Sequence, residues 1–274
     1  MEKCKIIAIA NQKGGVGKTT TTINLGVGLA ATGKRVLLVD GDPQGSLTIA
    51  MGIPNPDALS ETVGSAMLAE ITDQNVSDNY GIIQHKEGVD LFPGNIELSG
   101  IELMLHTAMS RESIMRSILQ QHRQNYDYIL IDCMPSLGLM TINSLVAADS
   151  VIIPCQPNYL STKGLNLLLR SISRVKKQIN PRLSIDGILF TIVDGRTNNA
   201  RSIISAMRTT LGDHIKVFAT EIPRSVRAAE ASENGKSIFS YDRNGRVSQA
   251  YAELTKEVSK IAREIHRSRS DGAR

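Results

Sequence analysis

The stretch Lys13-Gly14-Gly15-Val16-Gly17-Lys18-Thr19-Thr20 constrains this chain more than any other, because of what flanks it. Cys4 to Ala10 is an apolar run of strand length, and Thr21 to Ala31 reads as a helix. A glycine-rich connection between a buried strand and a helix folds as a phosphate cradle. Gly14, Gly15 and Gly17 let backbone amides turn inward around an anion, and the helix start adds partial positive charge. Lys18 then reaches the β- and γ-phosphates, and the hydroxyl of Thr19 falls to Mg²⁺, with Val16 and Thr20 completing the nucleotide contacts. The ordinary form of this loop has glycine where Gln12 stands, and here a second lysine, Lys13, follows it.

The rest of the chain fits one large α/β unit. Its 274 residues are 41% apolar, enough for a substantial core, and no apolar run reaches membrane-spanning length. Cys4, Cys133 and Cys155 are widely spaced, which argues against a disulfide framework or a zinc site and for small core residues. The expected compartment is the cytoplasm. Net charge is +4 but uneven: nine acidic residues stand against one lysine between Ser46 and Ser110. Six basic residues stand against one acidic between Leu160 and Ile192, and fifteen against ten from Val193 to Arg274. The basic C-terminal part points to a polyanion.

Apolar β-branched runs recur at Arg35–Asp40, Asp127–Asp132, Ser150–Pro154, Ile185–Val193 and Lys216–Thr220, separated by helical stretches. Runs apolar on both faces predict a single-domain P-loop fold over residues 1–274, a mostly parallel sheet with helices on each side and nucleotide at the carboxyl ends of its strands. One helix, with candidate caps Ser161 and Thr162, carries the stripe Leu165, Leu168, Ile172, Val175, Ile179 and an opposite face of Arg170, Arg174 and Lys177. The last helix carries Val247, Tyr251, Leu254, Val258, Ile261 and Ile265, with Arg263, Arg267 and Arg269 near its end. Asn55 to Asn79, rich in Pro, Asp and Ser, reads as a surface excursion closing over or beside the site.

Two further motifs carry chemistry. Val36 to Gly45 delivers the carboxylates of Asp40 and Asp42 to one strand end, two residues apart and able to address one metal–phosphate site. Tyr126 to Asp132 is an apolar strand ending in a carboxylate, as needed to hold a Mg²⁺ water shell through Asp132.

The lysine-doubled loop resembles the deviant Walker A motif of the ParA/MinD family of ATPases, and the resemblance runs from Ile6 to about Tyr251. It implies that Lys13 crosses a dimer interface to the partner's nucleotide, that Asp40 helps hold Mg²⁺ through water, and that Asp42 orients the attacking water. The segment Cys133 to Gly138 resembles the family's switch, with Met134 in place of a first proline, a change that loosens it. Asp194 to Asn198 and Ile222 to Arg227 resemble segments in which Arg196 and Arg227 touch DNA without sequence preference. The implied protein dimerises on ATP, binds non-specific DNA, answers to a ParB-like centromere-binding partner, and sits in the cytoplasm on the nucleoid. No helix-turn-helix precedes the first strand, which argues against operator binding. A MinD-like positioning ATPase would need an apolar amphipathic C-terminus, and an iron–sulfur carrier a cysteine pair; neither is apparent. A nucleotide-gated DNA-binding adaptor with little hydrolysis is the remaining rival, and Asp42 weighs against it.

Overall fold

The computed structural model describes residues 4–212 and 215–271, with backbone alone for 159–163, 198–199, 263 and 265–271. Eight strands form one sheet: β1 (Lys5–Ile9), β2 (Val36–Gly41), β3 (Ile83–Gln84), β4 (Asp90–Phe92), β5 (Tyr128–Cys133), β6 (Ser150–Cys155), β7 (Ser184–Val193) and β8 (Val217–Pro223). Their spatial order is β3-β4-β2-β5-β1-β6-β7-β8, all pairs parallel except β3 with β4. All six strand runs read from the sequence, Cys4–Ala10 included, are present. The short β3 and β4 are additions, too brief and too polar for an apolar-run criterion to detect.

The central strands are apolar on both faces because both faces are covered. Along β1, Ile6 and Ala8 join one core cluster while Ile7 and Ile9 join the other, the two-residue alternation of a strand. One cluster gathers α3 (Val63–Ile71), α4 (Glu97–Leu105), α5 (Ile114–His122), α6 (Leu139–Ala147), α7 (Tyr159–Gln178) and α8 (Asn198–Leu211). The other gathers α1 (Lys18–Ala30), α2 (Ser46–Ala50), α9 (Val226–Glu233), α10 (Ile238–Tyr241) and α11 (Arg246–Asp271).

Helix α1 contains four threonines and two glycines, a poor composition for an isolated helix. Burial sustains it. A side chain at Gly26 would lie 2.5 Å from Leu38 Cδ2, so the glycine sets how closely α1 lies on β2. The predicted stripe of α11 is buried at Val247, Tyr251, Leu254, Val258 and Ile261, while the side chains of Arg263, Ile265, Arg267 and Arg269 lie outside the described residues. In α7, Leu165, Leu168, Ile172 and Val175 are buried and Arg170, Arg174 and Lys177 exposed, as the spacing predicts. That helix opens at Tyr159, ahead of the predicted caps, whose side chains also lie outside the described residues.

One expectation is overturned. Asn55 to Asn79 is not a surface excursion over the site but contains a short 3₁₀ turn, Pro56–Ala58, and α3, whose Val63, Ala66 and Met67 are buried in the core. Thr62 caps α3 in a reciprocal capping box with Ser65. The polar residues that read as loop are the cap, and the apolar face behind it packs inward.

Candidate active site at the carboxyl ends of the central strands

The loop leaving β1 turns through Gly15 (φ +69°) and Gly17 (φ +79°), a left-handed backbone that only glycine adopts without strain. Side chains from neighbouring strand ends hold its carbonyls outward. Gln156 Nε2 donates to Gly15 O at 2.8 Å, and Thr191 Oγ1 donates to Val16 O at 2.8 Å. The amides of Gly15 to Thr19 donate to nothing among the described residues. A Cβ at Gly14 or Gly15 would meet nothing within 4 Å. An open nest of unpaired amides at the head of a thirteen-residue helix fits a phosphate chain.

The two lysines sit differently. Lys18 is buried, and its Nζ donates to Lys13 O at 3.3 Å; burial pushes its pKa below the ordinary value, against attraction from Asp132 and Asp42. A buried ammonium bonded only to a carbonyl gains from an anion beside it. Lys13 is half-buried with Nζ 3.3 Å from Asn158 Oδ1, and its amide donates to Asn11 Oδ1 at 3.0 Å. Gln12, at the position of the missing glycine, lies against Gly164 of α7, where a Cβ would stand 2.9 Å from Gln12 Nε2.

Register places Asp40 of β2 directly beside Asp132 of β5. Thr19 Oγ1 donates to Asp132 Oδ2 at 2.6 Å, whereas Asp132 Oδ1 is buried with no hydrogen-bond partner among the described residues. An orphaned buried carboxylate oxygen beside a threonine hydroxyl matches a hydrated divalent cation. Desolvation, reinforced by Asp40, pushes the Asp132 pKa up to about 8, so a cation beside it favours the charged carboxylate.

Asp40 and Asp42 do different things. Asp40 is wholly buried: Oδ2 accepts from Thr48 N at 2.8 Å and Thr48 Oγ1 at 2.7 Å, and Oδ1 accepts from Asp42 N at 3.3 Å. Burial raises its pKa to about 7. These bonds anchor the turn that presents Asp42, which lies just past the strand and accepts from Gln44 N at 3.0 Å. Asp42 acts electrostatically on Lys18, Asp40 and Asp132 alike, so the four groups share one site.

In the switch segment Met134 packs against the core, and Thr141 Oγ1 donates to Ser136 O at 2.9 Å. Apolar contact thus tethers the position where a proline was expected.

Arg196 and Arg227 follow β7 and β8. Arg196 makes a two-pronged ion pair with Asp194, through Nε and Nη2 at 3.1 Å each, and Arg227 Nη1 lies 3.1 Å from Glu230 Oε2. Arg196 lines a cavity of about 560 Å³ together with Arg224, Val226 and Arg246. Just before it, Ile192 takes φ +54°, a strained conformation for a β-branched residue, where β7 shifts register against β8.

Sequence reasoning missed Asn11, Thr48, Gln156, Asn158 and Thr191. Each is a single polar residue at a strand end or on a neighbouring helix, and only the fold brings it to the loop. Thr191 carried the strongest signal, as a polar residue late in an apolar strand.

A family model described as the AAA domain matches residues 4–185. The chain is 47% identical over 257 residues to the sporulation initiation inhibitor protein Soj of Bacillus subtilis, covering 93% of this chain and 98% of that one. It is 41% identical over 267 residues to the chromosome partitioning protein ParA of Caulobacter vibrioides, covering 96% of each. Among solved structures, cobyrinic acid a,c-diamide synthase from Mycobacterium smegmatis with bound ATP analog and magnesium superposes with a TM-score of 0.78 at 35% identity, over 92% of this chain and 93% of that one. Glycine loop, paired carboxylates and parallel sheet agree with these matches: the chain belongs to the AAA-domain family of P-loop ATPases, in its Soj/ParA partition group.

Proposed function

We propose that this protein is a Mg²⁺-dependent ATPase for DNA partition that dimerises on ATP, binds DNA without sequence preference and hydrolyses ATP when a ParB-like centromere-binding partner engages it. The observation that carries the reading is the orphaned Asp132 Oδ1 beside the Thr19 hydroxyl, at the foot of the open amide nest. The nest of Gly14 to Thr20 binds the phosphates, and Lys18 places its charge on the β- and γ-phosphates. Thr19 and Asp132 would hold the metal, with Asp40 supporting the shell from behind through the turn it anchors. When bound, magnesium supplies charge neutralisation at the phosphates. Asp42 orients the attacking water and accepts its proton.

Lys13 leaves Asn158 and enters the partner's site, which makes hydrolysis depend on the dimer. Arg196 and Arg227 exchange their exposed carboxylate partners for DNA phosphates, since surface ion pairs of this kind are weak. The dimer acts on the nucleoid in this reading; among the described residues no helix is long and apolar enough to cross a membrane. The test is sedimentation with a non-hydrolysable ATP analogue, followed by ATP turnover with DNA, with the partner, and with both. A chain that stays monomeric with the analogue, or turnover that neither addition raises, refutes the reading.

A further inference from the structure

At the amino ends of the strands, the end of the sheet opposite the glycine loop, α5, α6 and the α7–β7 connection border a solvent-open cavity of about 320 Å³. Arg116 and Arg123, from α5 and its C-terminal cap, line it together with Arg182 from the α7–β7 connection. Its apolar floor is Val146, Ala147, Ala148 and Ile179. Asn180 makes that floor rigid, because its side-chain amide donates to the carbonyls of Leu145 (3.2 Å), Val146 (3.2 Å) and Ala148 (2.8 Å). These are the carbonyls in which α6 ends, so the helix pole that would repel an anion is already engaged.

The arginines are not equivalent. Arg123 is pinned, with Nη1 donating to Cys4 O at 2.9 Å and Nη2 to Asp149 Oδ1 at 3.0 Å, while its Nε–H is buried without an acceptor. Asp149 is spent as well, because its Oδ2 accepts from Ile6 N at 2.8 Å. Arg116 and Arg182 are exposed and make no hydrogen bond or ion pair among the described residues. Three guanidinium groups therefore face one carboxylate, and that carboxylate is used internally. Two free planar forks over an apolar floor fit an anion with a hydrocarbon part. The volume stands at the small end of ligand cavities, which run from roughly 300 to 1,000 Å³.

We propose that this cavity binds a small organic anion, Arg116 and Arg182 gripping its carboxylate or phosphate group while its apolar part rests on Val146, Ala147, Ala148 and Ile179. The site is separate from the nucleotide site and does not rest on the partition reading.

Calorimetric titration of the full chain, saturated with Mg²⁺ and ADP so that the glycine loop is filled, tests it with succinate in one arm and glycerol 3-phosphate in the other. The arm that saturates at one equivalent tells carboxylate from phosphate. Arg116→Ala/Arg182→Ala should weaken that binding by about tenfold or more, with ATP turnover unchanged. Arg170→Ala/Arg174→Ala on the exposed face of α7 should leave it intact. Arg182→Lys keeps the charge but loses the fork and should retain part of the affinity, so the test survives poor folding of the double variant. No saturable binding in either arm overturns the proposal, as does undiminished binding by a folded double variant.

Discussion

If Lys13 reaches the partner's nucleotide as proposed, the two lysines of the glycine loop have different roles, and single substitutions separate them. Lys18→Ala should abolish ATP binding, because a buried charge beside the phosphates disappears. Lys13→Ala should leave monomer binding intact and cripple dimerisation with an ATP analogue, read by sedimentation; a normal dimer would end the in-trans role. Asp42→Ala should lower turnover by roughly 100-fold or more while sparing nucleotide affinity, since it removes proton acceptance and water orientation rather than charge clamping. His122 reports on the core instead. It is buried edge-on to Phe92, with ring centroids 6.1 Å apart, and burial lowers its pKa below the ordinary 6.5, against a weaker opposing pull from Asp78. The unfolded chain therefore takes up a proton near pH 6.5 that the folded chain refuses. The stability this neutral ring contributes is present above that pH and is lost as pH falls below it. Replacing it, as His122→Gln, should flatten the decline in Tm between about pH 7.5 and about pH 5.5. A decline as steep as wild type would assign the acid sensitivity elsewhere.

At the scale of elements, the short strand β4 matters more than its length implies. Gly94, just beyond it, lies against the carbonyl of Asp40, and any side chain there would run into that backbone oxygen. Thr48 Oγ1 accepts from Gly94 N at 3.0 Å and donates to Asp40, so α2, β2 and the β4 exit are locked around one buried carboxylate. Gly94→Ala should cost about 1–3 kcal/mol, because neither backbone can give way cheaply. Denaturant unfolding would show it as a lower midpoint at unchanged slope. Gly94→Ala with wild-type stability would mean that this end of β2 adjusts freely.

Across the whole molecule, ATP and DNA are linked if dimerisation doubles the array of arginines. Replacing Arg196 or Arg227 in both protomers removes two phosphate contacts, so the slope of log affinity against log salt should fall by roughly 1.8. The loss should be equal for unrelated duplexes, because phosphate contacts carry no base information. Filter binding over a salt series with an ATP analogue measures both. An unchanged slope for both variants would shift the assignment to the exposed Arg170, Arg174 and Lys177 face of α7.

The local pattern of the chain was enough to determine the six long strands, the stripes of α7 and α11, and the loop from Lys13 to Thr20. Each follows from short-range chemistry: alternation on a strand, three- and four-residue steps on a helix, glycines where the backbone must turn left-handed. The same local rules misread Asn55 to Asn79, because a capping box and a loop share their polar residues, and only the core behind α3 tells them apart. Asn11, Thr48, Gln156, Asn158 and Thr191 reach the site across as many as 175 residues of sequence, as with Thr191 and Val16. Asp40 and Asp132 look alike as carboxylates ending apolar strands. The packing of α2 against the end of β2 gave Asp40 its donors from Thr48, and among the described residues no donor reaches one oxygen of Asp132, since hydrogen bonds between elements depend on how strands and helices are placed and not on their local pattern.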